Sequence, residues 1–280
     1  MNVLATLWSR VSGSQPLPPA WVVAATALAA LVIAANTAWW RLAGKVITIA
    51  HEGGHALVSV LSGRRLDGIR LHADSSGVTY SRGRRSGPGL VLTAAAGYVM
   101  PPLLGAGAAA LLAARHLTAM LWLALVLLAA TFLAIRNLYG AVAVLLTAGG
   151  VFAVSYYAPA AVQAGFAYLA AWFLLFGGMR PMLELARATW VRGRWRRSRG
   201  SDADQLARLT GVPVGLWVTL FLLVAAAALV AGTRLLIPPG VHVLRRVSSA
   251  AAAGARCATG LGGHKPRLSG PGRHKPRTPT

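Results

Sequence analysis

Residues 47–63 read ITIAHEGGHALVSVLSG, an apolar stretch about long enough to cross a bilayer that carries two histidines and a glutamate in its middle. Ionisable side chains are expensive in hydrocarbon, and where they occur they mark function by default. The spacing is that of the H-E-x-x-H pattern: His51 and His55 stand at i and i+4, so on a helix they share one face and both reach one metal ion. Glu52 lies beside them, where it can take a proton from a water next to that metal. Neutral imidazole binds zinc without cancelling its charge, and a neighbouring carboxylate supplies the base. With seven histidines and two glutamates in 280 residues, chance produces this pattern roughly once in a thousand such chains. Gly53 and Gly54, poor helix formers, would let another backbone or a substrate approach the metal, or serve plain helix packing.

Composition sets the surroundings of this segment. The chain is 56% hydrophobic and only 12% charged, where soluble domains run near about 25% charged. Seven apolar stretches approach the roughly 20 residues of a membrane span: 20–40, 45–62, 89–114, 117–135, 140–157, 159–177 and 214–237. The predicted fold is therefore all-α, a polytopic transmembrane helix bundle of about seven spans. A short β-hairpin follows the second helix: in LDGIRLHADSSGVTYSRG (66–83), Asp74-Ser75-Ser76-Gly77 forms a turn between two β-prone runs. Residues 1–44 read as an N-terminal segment and first anchor, 45–237 as the membrane core, and 238–280 as a basic, disordered tail.

Twenty-eight Lys and Arg against six carboxylates give a net charge of +22. The basic residues lie between and after the apolar runs, as in loops held at anionic lipid headgroups, so the bilayer is an expected partner. The positive-inside rule puts residues 63–88 and 178–213 on the cytoplasmic side and, with seven spans, the tail on the other. Nucleic acid is not an expected partner, because the tail lacks aromatic residues that would stack on bases. The single cysteine, Cys257, excludes both an intrachain disulfide and a cysteine metal cluster.

A catalytic zinc takes a third protein ligand. The carboxylates other than Glu52 are Asp67 and Asp74 in the predicted hairpin, Glu184, and Asp202 and Asp204 in GSDADQLARL; His72 and His116 are nitrogen alternatives. Spacing does not choose among them. Ser201 and Asp204 form a capping box, with Ser201 as cap and Asp204 at the third position, which leaves Asp202 free.

HEGGHALVSVLSGRRL (51–66), the glycine-containing hairpin, AAGYVMPPLLGAGAA (95–109) and SDADQLARL (201–209) together resemble the site-2 protease family of intramembrane zinc metalloproteases. The likeness is greatest to its compact branch of peptidase-like membrane proteins in actinobacteria and fungi, and it covers about residues 45–235. It implies a zinc held by His51, His55 and Asp202, with Glu52 as general base, in a multi-pass protein of the bacterial cell membrane. Better-known members carry the third ligand in an L-D-G or similar motif on a late membrane helix. The Leu66-Asp67-Gly68 match here, eleven residues after the motif, reads as accidental.

The implied activity is endopeptidase cleavage of a membrane-protein substrate, in or near a transmembrane segment. A substrate helix shields its peptide bonds and must be unwound first; an edge strand at 67–82 could achieve this by strand addition. The alternative reading is an inactive membrane protein with a structural or regulatory metal site. A transporter ranks behind it, because no matching second half is visible.

Overall fold

In the computed structural model, residues 13–191 and 200–237 are described. The tail 238–280, Cys257 within it and the basic run 192–199 lie outside the described residues. The chain forms α1 (Ala20–Ala35), α2 (Thr37–Leu61), β1 (Arg65–Leu71), β2 (Gly77–Arg82), α3 (Pro88–Ala113), α4 (Leu117–Ala134), α5 (Leu138–Tyr157), α6 (Ala160–Ala186, continued by a π turn to Val191), α7 (Asp202–Thr210) and α8 (Val214–Leu236). It is a helix bundle with one two-stranded hairpin after the second helix, as its sequence predicts.

Among the described residues, five helices are long and apolar enough to cross a membrane on their own: Pro88–Ala113, Leu117–Ala134, Leu138–Tyr157, Ala160–Trp190 and Val214–Leu236. The first two expected spans do not stand separately. Sixteen residues make α1 about 24 Å long, short of the roughly 30 Å hydrocarbon core. Asn36 then adopts an extended conformation, and its side chain accepts from Ala38 N (2.9 Å) and Trp39 N (3.2 Å), which starts a new helix. The two helices meet at 101° and count as at most one broken span, for a total of up to six. The segment read as ending at residue 177 also runs further, to Ala186. Charge does not end this helix, because Arg180 and Glu184 pair one turn apart at 3.0 Å. The Arg180 guanidinium also donates to Ala34 O (2.6 Å) and lies over the Trp40 ring, tying α6 to the break between α1 and α2.

Helix α3 packs against α2, α6, α7 and α8. Small residues permit this closeness. A Cβ on Gly54 would stand 2.5 Å from Met100 Cβ, one on Gly105 2.9 Å from Leu175, and one on Gly178 2.9 Å from Pro102. Gly54 is therefore explained by helix packing.

The hairpin lies along α2. Ile69 and Leu71 are buried with Ile49, Ala56, Ala134, Ile135 and Val144. Lys45 Nζ donates to Ala73 O, and Thr48 Oγ1 donates to Ser75 O (3.0 Å). The turn closes through Asp74 Oδ1, which accepts from Ser76 N (2.9 Å). On its outer side β1 is covered by the α4–α5 connection: Arg136 N donates to Ile69 O (2.9 Å), and the Asn137 amide bonds both backbone groups of Leu71. Antiparallel pairing alternates, so Thr79 and Gly77, opposite Ile69 and Leu71, turn their backbone groups toward the other edge of β2. No backbone group elsewhere in the described residues pairs with them.

The short helix α7 is amphipathic. Its Ala203 and Leu206 are fully buried, in a cluster with Ala94, Met182, Leu185 and Phe221 from α3, α6 and α8. Ser201 Oγ accepts from Asp204 N (3.3 Å) at its start, and Gly211 closes its end in the left-handed region. Nine residues do not hold a helix in place without such an anchor. Leu206→Ala should therefore cost about 2–5 kcal/mol. Hydrogen exchange over residues 202–210 should rise well above wild type, and unchanged protection there would contradict this account of the docking.

Candidate metal centre

The helical register of α2 sends its polar side chains two ways. His51 and His55 face α3 and α7, whereas Glu52, 4% exposed, faces the hairpin. His51 Nε2 and His55 Nε2 lie 3.2 Å apart. Asp202 Oδ2, from the first residue of α7, lies 3.1 Å from His51 Nε2 and 3.2 Å from His55 Nε2. A residue 147 positions away in sequence thus completes a triangle with the helical pair.

The protonation pattern gives this triangle its meaning. His55 Nδ1 lies 2.6 Å from Thr93 O, a group that only accepts, so Nδ1 carries a proton and, when the ring is neutral, Nε2 presents a lone pair. Asp202 Oδ2 is buried, and its near polar neighbours are the two ring nitrogens, each within ion-pair distance. Electron pairs converging in a bundle interior repel unless a proton or a metal ion lies between them. The three atoms are the only group of three His, Cys, Asp or Glu ligand atoms placed for a metal among the described residues. Three ligand atoms bound to a tetrahedral zinc at about 2.0–2.1 Å would stand roughly 3.3 Å from one another. The donor set and its spacing fit a metal ion.

The remaining candidates are engaged elsewhere. Asp67, at the β1 bulge, pairs with Arg82 (2.7 Å), and Asp74 closes the hairpin turn. Glu184 pairs with Arg180, and His72 lies 3.3 Å from Ser76 Oγ. His116 occupies the residue before α4. Asp204 accepts from Gly200 N (3.0 Å) and pairs with Arg208 (3.1 Å), so the capping role and the triangle fall to different aspartates.

Several contributors were not foreseen. Gly97 presents α3 backbone to the site, and a Cβ there would stand 2.3 Å from His55 Nε2 and 2.6 Å from His51 Nε2. Tyr98 meets the His51 ring edge-on, centroids 4.9 Å apart at 90°, and stacks on Phe221 from α8. Thr79 Oγ1 is 2.7 Å from Glu52 Oε2 and 3.1 Å from Glu52 O, while Gly77 lies directly against the Glu52 side chain. Gly97 and Tyr98 sit in the run 95–109 that contributes to the family resemblance, which gives neither residue a role. The hairpin glycine and threonine carry no local signal of their proximity to Glu52.

Gly97→Ala should push the two imidazoles apart and abolish high-affinity metal uptake, with the helical content retained. Metal content after dialysis against a weak chelator measures this. Full occupancy in that variant would contradict the geometry at α3.

Two comparisons, with curated proteins and with solved structures, gave no match. A family model described as Peptidase M50B-like matches residues 24–232, 209 of the 280 positions, and spans both α2 with its histidines and α7 with Asp202. Metal dependence and a place in the membrane go with that family, and the His-His-Asp group and the long apolar helices agree with both. The chain belongs to the Peptidase M50B-like family, which is the site-2 protease family.

Proposed function

We propose that this protein is a zinc-dependent intramembrane endopeptidase that hydrolyses a peptide bond in or near a transmembrane segment of another membrane protein. The observation that carries the reading is the convergence of His51, His55 and Asp202 on one point, with Glu52 on the next position of the same helix. Among the described residues three side chains offer ligand atoms to that point, and a set of three favours a catalytic over a structural metal.

In this reading the three residues hold zinc, which supplies a Lewis acid that polarises a carbonyl and acidifies water. Glu52 accepts the proton of the attacking water as its oxygen bonds to the scissile carbon. It then delivers that proton to the amide nitrogen as the C–N bond breaks. Burial keeps the carboxylate out of bulk solvent, and Thr79 holds one of its oxygens. The open edge of β2 gives an unwound substrate backbone a partner for the hydrogen bonds it loses on leaving its helix. Arg64, Arg65, Arg82, Arg84 and Arg85 cluster around the hairpin, where they would meet anionic headgroups. The bacterial cell membrane is the location we infer.

Zinc content of detergent-purified protein and mapping of new N-termini in membranes of expressing cells test this together. His55→Ala and Asp202→Ala should lose zinc by at least about tenfold, since each leaves two ligands. Asp204→Ala should keep it. Glu52→Gln should keep zinc and lose every new terminus within or beside transmembrane segments. Zinc retained by Asp202→Ala would remove that residue from the site, and unchanged cleavage by Glu52→Gln would end the protease reading.

A further inference from the structure

Glu52 is buried, and a buried carboxylate requires donors. Among the described residues a single hydrogen bond reaches its oxygens, from Thr79 Oγ1 to Oε2 at 2.7 Å. The same hydroxyl stands 3.1 Å from Glu52 O, but it has one proton, and the shorter bond to a charged acceptor is the stronger. Gly77, two residues earlier and on the same face of the strand, supplies the floor. A Cβ there would stand 2.6 Å from Glu52 Cγ and 2.8 Å from Cδ and Oε1. The carboxylate therefore rests on one residue of β2 and is hydrogen-bonded by the next on that face. Threonine is β-branched and stiff at χ1, so its hydroxyl direction is set by the strand.

We propose that Thr79 is the positioning residue for Glu52, holding the carboxylate in the orientation from which it works on the substrate water. The proposal rests on the reading of Glu52 as general base. It adds that β2 has two duties at one residue. The Thr79 side chain aims the base, while its backbone N–H and C=O face the open edge where an extended peptide would pair. A peptide bound along that edge thereby touches the residue that aligns the base. Thr79 is not needed merely to keep the hairpin on α2. Lys45 to Ala73 O and Thr48 to Ser75 O secure the turn, and Ile69 and Leu71 bury the strand.

The chain has two glutamates, Glu52 and Glu184, so protein labelled with 13C at the glutamate carboxyl gives two signals, and Glu52→Gln identifies which is which. At a fixed neutral pH, Thr79→Val should move the Glu52 signal and leave that of Glu184 in place, while Thr79→Ser should return it to the wild-type position. With fluorescein-labelled casein as probe, Thr79→Val should lower kcat by about 10–100-fold, a fraction of a full general-base contribution, with KM changed less than about twofold. Thr79→Ser should recover most of that rate, and all variants should hold zinc as wild type does. An unmoved Glu52 signal in Thr79→Val, or equal rates for the valine and serine variants, would overturn the proposal. If casein resists the wild type, the carboxyl signal alone decides. Failure of the underlying reading looks different: Glu52→Gln would then cleave normally, whatever Thr79 does.

Discussion

Three electron-rich atoms meeting at 3.1–3.2 Å inside an apolar bundle are the constraint around which this protein is built. In an apolar interior their mutual repulsion must be offset by a proton or a metal ion held between them, and the donor set suits a metal. Much of the surrounding architecture serves that point. Thr93 fixes the His55 tautomer from α3, and Tyr98, backed by Phe221, lies edge-on against His51. Helix α7, anchored by Leu206, carries Asp202. The elements around the His51-His55-Asp202 group thus come from widely separated parts of the chain, and α3 is the wall they share.

Close approach makes this wall possible. Gly54 on α2 accepts Met100, and Gly97 on α3 accepts the two imidazoles. A methyl group at either position would occupy space already filled. In a membrane, where apolar surface gains little by leaving lipid, small residues at helix interfaces replace the hydrophobic drive of soluble cores. The hairpin approaches α2 on another side and meets Glu52, so neighbouring positions of one helix face α3 and the hairpin. The open edge of β2 lies on the strand that touches Glu52; in the proposed function that one element would serve both substrate pairing and proton transfer.

What could be read from residues alone was what is local. His51 and His55 are one helical turn apart, and that spacing survives any tertiary arrangement. The hairpin turn at Asp74-Ser75-Ser76 is likewise written in side chains that bond their own neighbours. Asp202 was singled out by the family resemblance, and the capping box only left it free, because 147 residues of intervening chain carry no distance information. The break at Asn36 was missed since the apolar run passes through it, and a single capping side chain outweighs hydropathy there. Helix α6 outran its expected end because Arg180 and Glu184 neutralise one another. Thr79, Gly77, Gly97 and Tyr98 owe their roles to packing between segments, and no pattern within any one segment reveals them.

The central claim is that His51, His55 and Asp202 together hold a catalytic zinc. X-ray absorption at the zinc edge of the purified wild-type protein addresses it most directly. The account predicts a first shell of nitrogen and oxygen only, at about 2.0–2.1 Å, with the outer-shell scattering of two imidazoles. A sulfur shell at about 2.3 Å, a different number of imidazoles, or protein that binds no zinc at all would contradict it.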